Sequence, residues 1–415
     1  MPTHMASVDH VPTDSGEQMP IRPLPARRRR IALTAAAGLG VLLAGCAENA
    51  PQDTWQPAGP DARTIDNLQQ PVFLAAGVVG VLVFAAVVYC IVRFRDRGQA
   101  MPSQSHGKSA VEIGGIVLSA SILAAIAVPT FRTIFDLADT SGCDLTVNVT
   151  GQQWWWEYAY PAQDGIEAPI VTSGELVIPT GECVLLRITS RDVIHSFWIP
   201  KLNGKRDAVP GRIHTLRMEA DEPGIYAGQC TEFCGLSHAN MKMDAVALND
   251  ADFATWVSSQ LAPAEAAAEG SPAAEGEAVF TQQCVRCHQV NGLDDTDGNP
   301  LIAQADQYLV AGAAPNLTHL MSRTSFAGAT YSLLTESCRA DLLAATPEEF
   351  GAMYLAGVTP ECLNRIELEE WLRNAPSKKP MYPTPNAEGL GRGMPYLAIS
   401  EGDVDKLVDY LITLK

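Results

Sequence analysis

Two stretches of the 415-residue chain are long, apolar and free of charge. Pro71–Val92, as a helix rising about 1.5 Å per residue, reaches roughly 33 Å, enough to cross a bilayer core. Ile113–Phe131 is a second such run, of about 28 Å. The pattern predicts a hairpin of two transmembrane helices over 71–93 and 112–132, joined by a loop over 94–111. The period then changes. From Asp144 to Ala247 short apolar and β-branched runs, among them "DLTVNVTG", "ELVIPTG", "CVLLRITS" and "GIYAGQC", are separated by turn signals at Pro179-Thr180-Gly181, Pro210-Gly211 and Glu222-Pro223-Gly224. This predicts an antiparallel sandwich or barrel over 140–258. Residues 259–275, rich in Ala, Glu, Pro and Gly without a consistent apolar face, read as a flexible tether with some helix in the Ala/Glu part. Near the C-terminal end, Val404, Leu407, Val408, Leu411 and Ile412 stand at helical spacing behind Ser400, a natural N-cap with Asp403 following.

Charge orients this plan. Arg93, Arg95, Arg97 and Lys108 lie between the two spans, whereas Cys46–Pro71 holds only Arg63, so the connecting loop is expected on the cytoplasmic side and everything after Asp136 outside. Residues 1–45 read as a leader: a basic block at Arg27–Arg30, the apolar run Ile31–Leu43, then Leu43-Ala44-Gly45-Cys46. This resembles a bacterial lipoprotein signal, which implies that Cys46 becomes the lipidated first residue and that 46–70 is an extracytoplasmic segment. A signal anchor with an incidental cysteine is the alternative, and Met5 or Met19 are alternative starts. The net charge of −18 argues against a nucleic-acid partner and suits a basic protein partner.

The ten cysteines are too unevenly spaced for one disulfide framework. In "GQCTEFCGLSHANMKM", Cys230, Cys234, His238 and Met241 place two thiols, an imidazole and a thioether within one loop. Such soft and borderline ligands favour copper over magnesium or calcium. A Cys230–Cys234 disulfide would leave His238 and Met241 without a role; zinc accepts Cys and His but takes thioethers poorly. A mononuclear blue-copper site needs only one of the two thiols.

The spacing Cys230-x-Glu232-x-Cys234-Gly235-x-x-His238-x-x-Met241, with "DVIHSFWIPKLNGKRDAVPGR" upstream, resembles subunit II of respiratory cytochrome c oxidases. The resemblance implies a cupredoxin-like fold for 140–258 and a dinuclear copper centre, CuA. Both thiolates would bridge the two ions, His195 and Met241 completing one and His238 and the Glu232 carbonyl the other. It also implies a magnesium or manganese ion bound by the Glu232 carboxylate at the contact with subunit I. In "GQQWWWEYAYP", Trp154 and Trp156 of a strand would face one way and Trp155 the other. The resemblance makes Trp154 the exposed aromatic through which an electron reaches the copper. It makes Glu112 the mouth of a proton path, where the residue alone suggests a carboxylate snorkelling at the membrane interface.

"CVRCH", Cys284 to His288, is the signature of covalent haem attachment: Cys284 and Cys287 anchor the vinyl groups and His288 binds iron. A thioredoxin-like motif would need no His and a βαβ setting. The ending "GRGMPYLAIS" resembles bacterial cytochrome c domains, which implies an all-α domain over 276–415 and Met394 as sixth ligand; Met381 is the competing methionine. Pro315 would accept the N–H of the proximal ring, and His319 reads as a core or surface residue. Cys143 with Cys183, and Cys338 with Cys362, are candidate disulfides of an oxidising compartment, and Cys90 is an apolar filler of the first span.

Together these resemblances imply a multi-pass protein of the bacterial cell membrane with its copper and haem domains outside. It would take electrons from an upstream cytochrome c or cytochrome bc complex onto its own haem c. Through CuA it would pass them to subunit I, in company with the other oxidase subunits. A nitric oxide reductase subunit and a membrane-tethered electron shuttle are the alternatives.

Overall fold

The computed structural model describes residues 50–99, 107–290, 314–381 and 392–415; the leader and Cys46 lie outside the described residues. The two apolar helices are α1, Pro60–Arg93, and α2, Ser109–Ala138. Both are long and apolar enough to span a membrane, and large side chains such as Phe84, Ile91, Leu118 and Phe135 are exposed along them, as lipid-facing groups are.

Helix α1 begins at Pro60, well ahead of the expected Pro71, and runs through Pro71 without a break in assignment. Proline suits a first helical position because its missing N–H has no partner there. The early turns pack on the β domain: Ala58 donates to the Lys201 carbonyl at 2.8 Å and Ala62 to that of Leu202 at 3.2 Å. Arg217 ties both helices down, reaching Asp61 of α1 at 2.7 Å and, from α2, Asp136 at 3.5 Å. Its guanidinium also donates to the Asp139 carbonyl at 3.0 Å.

The β domain holds two sheets. Strands β1 (Leu145–Gln152), β2 (Trp155–Tyr160), β3 (Ile170–Ser173), β4 (Glu175–Pro179) and β5 (Val184–Ser190) come first. They are followed by β6 (His195–Phe197), β7 (Arg206–Ala208), β8 (His214–Met218), β9 (Gly224–Gln229) and β10 (Lys242–Leu248). One sheet runs β3-β2-β1-β5-β8, the other β4-β10-β9, with β6 and β7 a separate ribbon. The expected purely antiparallel arrangement is corrected in two places, since β1 lies parallel to β5 and β10 parallel to β4. The chain leaves the first sheet after β3 and enters the second at β4, so strands distant in sequence become neighbours. Val147, Val149, Trp156, Tyr158, Leu176, Ile178, Leu186 and Ile188 are buried core residues of this domain.

After α3, Asp250–Leu261, the chain reaches α4, Pro272–Gln283, capped by Ser271. The stretch 259–275 is therefore not a free tether. Its ends are helical, Ala264 is buried, and Ala267 donates its N–H to Glu277 at 3.0 Å. The Ser271-Pro272 pair is a helix start, so the C-terminal domain begins there, ahead of the expected 276. Among the described residues it continues with the hairpin β11–β12 (Ser325–Phe326, Tyr331–Ser332), α5 (Glu336–Ala344), α6 (Pro347–Leu355), α7 (Arg365–Lys378) and α8 (Glu401–Leu411). Ser400 caps α8 through the Asp403 N–H, and Val404, Leu407, Val408 and Leu411 are buried. Phe280 of α4 meets Tyr410 of α8 at 5.2 Å between ring centroids. Cys143–Cys183 and Cys338–Cys362 are disulfide-bonded.

The β domain and the C-terminal domain pack on one another through a buried polar seam. Glu175, 1% exposed, accepts from the Thr324 N–H and hydroxyl, each at 2.7 Å, from Ser325 at 3.1 Å and from the Tyr354 hydroxyl at 2.9 Å. Arg323, also buried, donates to Ser173 at 2.9 Å. A buried carboxylate is tolerated when its lone pairs are filled in this way.

Candidate metal centre

The start of strand β6 and the loop joining β9 to β10 converge at one end of the β domain. His195 opens β6, the loop after β9 carries Cys230, Glu232 and Cys234, and a short turn over His238–Asn240 leads to Met241. The Sγ atoms of Cys230 and Cys234 lie 3.9 Å apart. Nδ1 of His195 is 4.0 Å from Cys230 Sγ, Nδ1 of His238 is 3.5 Å from Cys234 Sγ, and Met241 Sδ is 3.8 Å from Cys234 Sγ. The Glu232 carbonyl accepts from the Cys230 thiol at 3.3 Å, while its side chain is exposed. The structure thus brings together every ligand atom expected from the sequence. His195, Cys230, Cys234 and Met241 are buried and His238 half-buried.

This donor set fits soft metal. The two thiols are unbridged while Cys143, Cys183, Cys338 and Cys362 are paired. Two thiols, two imidazole nitrogens, a thioether and a carbonyl facing one small volume suit copper far better than a hard cation. The hydrogen bond shared by the two thiols pulls the Cys230 thiol well below its usual range and pushes that of Cys234 up. Burial opposes a charged His195 ring, but its bonds to Asp192 and Cys230 prevail and raise its pKa.

Residues around the ligands fix their aim. Nε2 of His195 is bonded to Asp192 Oδ1 at 2.8 Å, which leaves Nδ1 facing the thiols. A side chain at Gly151 would put a Cβ 2.9 Å from the His195 ring, so glycine makes room for it. Gly235, at φ +111°, takes a backbone conformation that side chains disfavour and packs on Gln153 and Trp154. Gln153 Nε2 and Trp154 Nε1 both donate to the Cys234 carbonyl, at 2.7 and 3.1 Å. Sequence reasoning missed Asp192, although it lies in the stretch quoted for His195; a carboxylate three residues from a ligand histidine was the available signal.

Trp154 departs from expectation. It precedes β2 rather than alternating within it, and it is 2% exposed, as buried as its two neighbours. The C-terminal domain covers it: Lys379 Nζ donates to the Trp154 carbonyl at 2.8 Å, and a Cβ on Gly328 would lie 2.7 Å from that oxygen. The same hairpin reaches the ligand loop, Gly328 accepting from the Lys242 N–H at 3.1 Å and Thr330 donating to the Asn240 carbonyl at 2.6 Å.

In the C-terminal domain Cys284 caps α4, and the N–H groups of Cys287 and His288 bond its carbonyl at 3.0 and 2.9 Å, so the motif folds as a continuing turn. His288 Nδ1 is bonded to the Pro315 carbonyl at 2.8 Å, as expected, leaving Nε2 as the ring atom able to bind iron. Burial lowers the His288 pKa and raises that of Cys284 to about 12. These groups fit a covalently attached haem: two neutral thiols and one aimed neutral imidazole. Met394 is half-buried ahead of α8, and Met381 packs on the adjacent Gly393, whose Cβ would lie 2.5 Å from its Sδ. The two candidate methionines are therefore neighbours. His319 is buried, its ring nitrogens meeting the carbonyls of Lys415 at 2.7 Å and Gln260 at 3.2 Å. Glu112 lies exposed in the first turn of α2, apart from these sites.

Comparison with known proteins matches three families. Residues 145–247 match the periplasmic domain of cytochrome c oxidase subunit II, 49–133 its transmembrane domain, and 273–336 cytochrome c. Cytochrome c oxidase subunit 2 of Alkalihalophilus pseudofirmus is 33% identical over 288 residues, 67% of this chain and 82% of that protein. The subunit 2 of Bacillus subtilis is 32% identical over 307 residues, 69% of this chain and 81% of that one. Among solved structures, the periplasmic domain of subunit II of the Bradyrhizobium japonicum oxidase is 34% identical. It covers 28% of this chain and 94% of its own, with a TM-score of 0.27.

Proposed function

Because this chain belongs to the cytochrome c oxidase subunit II family and carries a fused cytochrome c domain, we propose that it is the electron-relay subunit of a respiratory haem-copper oxidase in a bacterial cell membrane. It accepts electrons from an upstream cytochrome c or cytochrome bc complex on its own haem c. From there it relays them through a dinuclear copper centre to subunit I, where oxygen is reduced to water. The observation carrying this reading is the convergence of Cys230, Cys234, His195, His238 and Met241, each sulfur or ring nitrogen within 4.0 Å of a thiol of the pair.

Cys230, Cys234, His195, His238, Met241 and the Glu232 carbonyl would together hold the two copper ions. Cys284 and Cys287 would hold the haem, with His288 and Met394 on its iron. When bound, the two groups supply one-electron carriers whose bonds change little between redox states. The chain's own atoms do the rest. Strands β6, β9 and β10 hold the ligands on a stiff frame, and burial of His195, Cys230, Cys234 and Met241 keeps water out. Asp192 and Pro315 orient the two imidazoles. Trp154 becomes the internal contact between the domains, bonded on one side by Lys379 and on the other to the Cys234 carbonyl. The exposed Glu232 carboxylate is available to a magnesium or manganese ion at subunit I, and Glu112 to protons at the cytoplasmic end of α2.

Electron paramagnetic resonance of the oxidised protein tests the reading. A multi-line pattern from one electron shared by two coppers is expected, lost in Cys230→Ser while the c-type haem absorption stays. A purified complex that consumes nitric oxide but no oxygen would overturn the oxidase assignment.

A further inference from the structure

The carboxylate behind His195 is completed from the other domain. Asp192 Oδ1 accepts from His195 Nε2 and from the Val193 N–H, both at 2.8 Å. Its Oδ2 accepts from the Gln153 N–H at 2.8 Å and lies 3.2 Å from Nε of Arg392, two residues ahead of Met394. The Asp192 side chain is 7% exposed and that of Arg392 is 22% exposed, so the pair is largely withdrawn from water. We infer that Arg392 is a positioning residue of the metal centre, contributed by the C-terminal domain and acting through Asp192 on His195. The inference rests on the copper reading above.

The argument is one of shared acceptor strength. A carboxylate pulls on an imidazole N–H in proportion to the negative charge left on it, and that pull sets how much electron density the opposite ring nitrogen offers a metal. Arginine stays charged at any physiological pH and cannot trade its proton with Asp192. Placed on Oδ2, it drains charge from Asp192 and weakens the pull on His195. Without it, Asp192 would be a buried carboxylate with only neutral backbone donors besides the ring. The His195 ring would become the stronger donor, and the oxidised state of the metal would be favoured. Because Arg392 belongs to the domain that also sets Lys379 against Trp154 and Gly328 against Lys242, the electronic state of the centre depends on the domains being docked.

The test uses the full-length protein in its complex, loaded with copper and haem, as wild type, Arg392→Gln and Arg392→Lys. The midpoint potential of the copper centre is measured against that of the c-type haem in the same molecule, with the paramagnetic resonance spectrum of the copper recorded alongside. Expected for R392Q is a negative shift of the copper potential, moving the electron equilibrium toward the haem by roughly fivefold or more. The copper hyperfine pattern should change while the haem potential stays put, and R392K should recover part of the shift. An R392Q protein with wild-type copper potential and spectrum overturns the inference, as does an equal shift of both centres, which would mean general loosening. A wild-type protein without the two-copper pattern overturns the copper reading itself, and this inference with it.

Discussion

Lys379 donates its ammonium group to the backbone carbonyl of Trp154 at 2.8 Å and to that of Ala327 at 2.7 Å. The lysine belongs to the C-terminal domain, the tryptophan to the loop behind Cys234, and both are 2% exposed. One buried amine therefore pins the two domains together at Trp154.

That amine makes the docked structure pH-sensitive. Burial pushes the Lys379 pKa down to about 7, against about 10.4 for a free lysine. Between those values the unfolded or undocked chain binds the proton and the docked one does not, so stability rises with pH across that window and is flat below it. Thermal melting from pH 7 to 10 should show wild type gaining stability relative to Lys379→Met. A constant difference between the two would disprove the assignment.

Glu175 is the second pin. Replacing it with Ala leaves the Tyr354 hydroxyl, the Ser325 hydroxyl and the Thr324 N–H without their acceptor, and Arg323 without its nearest carboxylate. Losing buried partners of this kind costs about 3–5 kcal/mol. Glu175→Gln, which keeps an acceptor oxygen, should cost less than half of that. Calorimetry of the purified protein checks both, and limited proteolysis should find the β11–β12 hairpin cut faster in E175A.

Arg217 of the β domain grips both membrane helices at once, meeting Asp61, Asp136 and the Asp139 carbonyl. Its loss in Arg217→Met leaves Asp61, 3% exposed, with the Asn203 amide as its side-chain hydrogen-bond donor among the described residues. A loss of about 1–3 kcal/mol is expected, read as a lower melting temperature in detergent. The copper spectrum should be unchanged, because the ligands lie on other loops.

What could be read from the sequence was what is local. Cys230 to Met241 and Cys284 to His288 are spacings within one loop or turn, and their chemistry is visible without a fold. The N-cap at Ser400 and the stripe of Val404, Leu407, Val408 and Leu411 are local in the same sense. What required coordinates was pairing across distance. Strand periodicity predicts which residues share a face but not what covers that face, so the burial of Trp154 and the seating of Gly328 and Lys379 on its carbonyl had no signal in "WWW". Apolar runs do not name their partner strands either, which is why the parallel pairs of β1 with β5 and β4 with β10 were unexpected. In 259–275 the helix expected in the Ala/Glu part is present from Pro272, while the expected tether is packed chain, because Ala and Glu are both tether and helix composition. Only packing against Glu277 and the core decides between them.

The two methionines beside Gly393 give the last prediction. Met394 stands before Pro395 and the capped helix α8, while Met381 follows α7 and packs on Gly393 itself. The sixth ligand of a haem must approach its iron from the side opposite His288, which is fixed by its bond to the Pro315 carbonyl. A methionine already packed on backbone would have to leave that contact to bind. Met394 is half-buried on a segment held by the Arg392–Asp192 ion pair. Met394→Leu should therefore abolish the weak long-wavelength sulfur-to-iron absorption of the oxidised haem and lower its potential, with haem still attached through Cys284 and Cys287. Met381→Leu should retain the band and cost only packing, about 1 kcal/mol. The reverse pattern would transfer the ligand role to Met381.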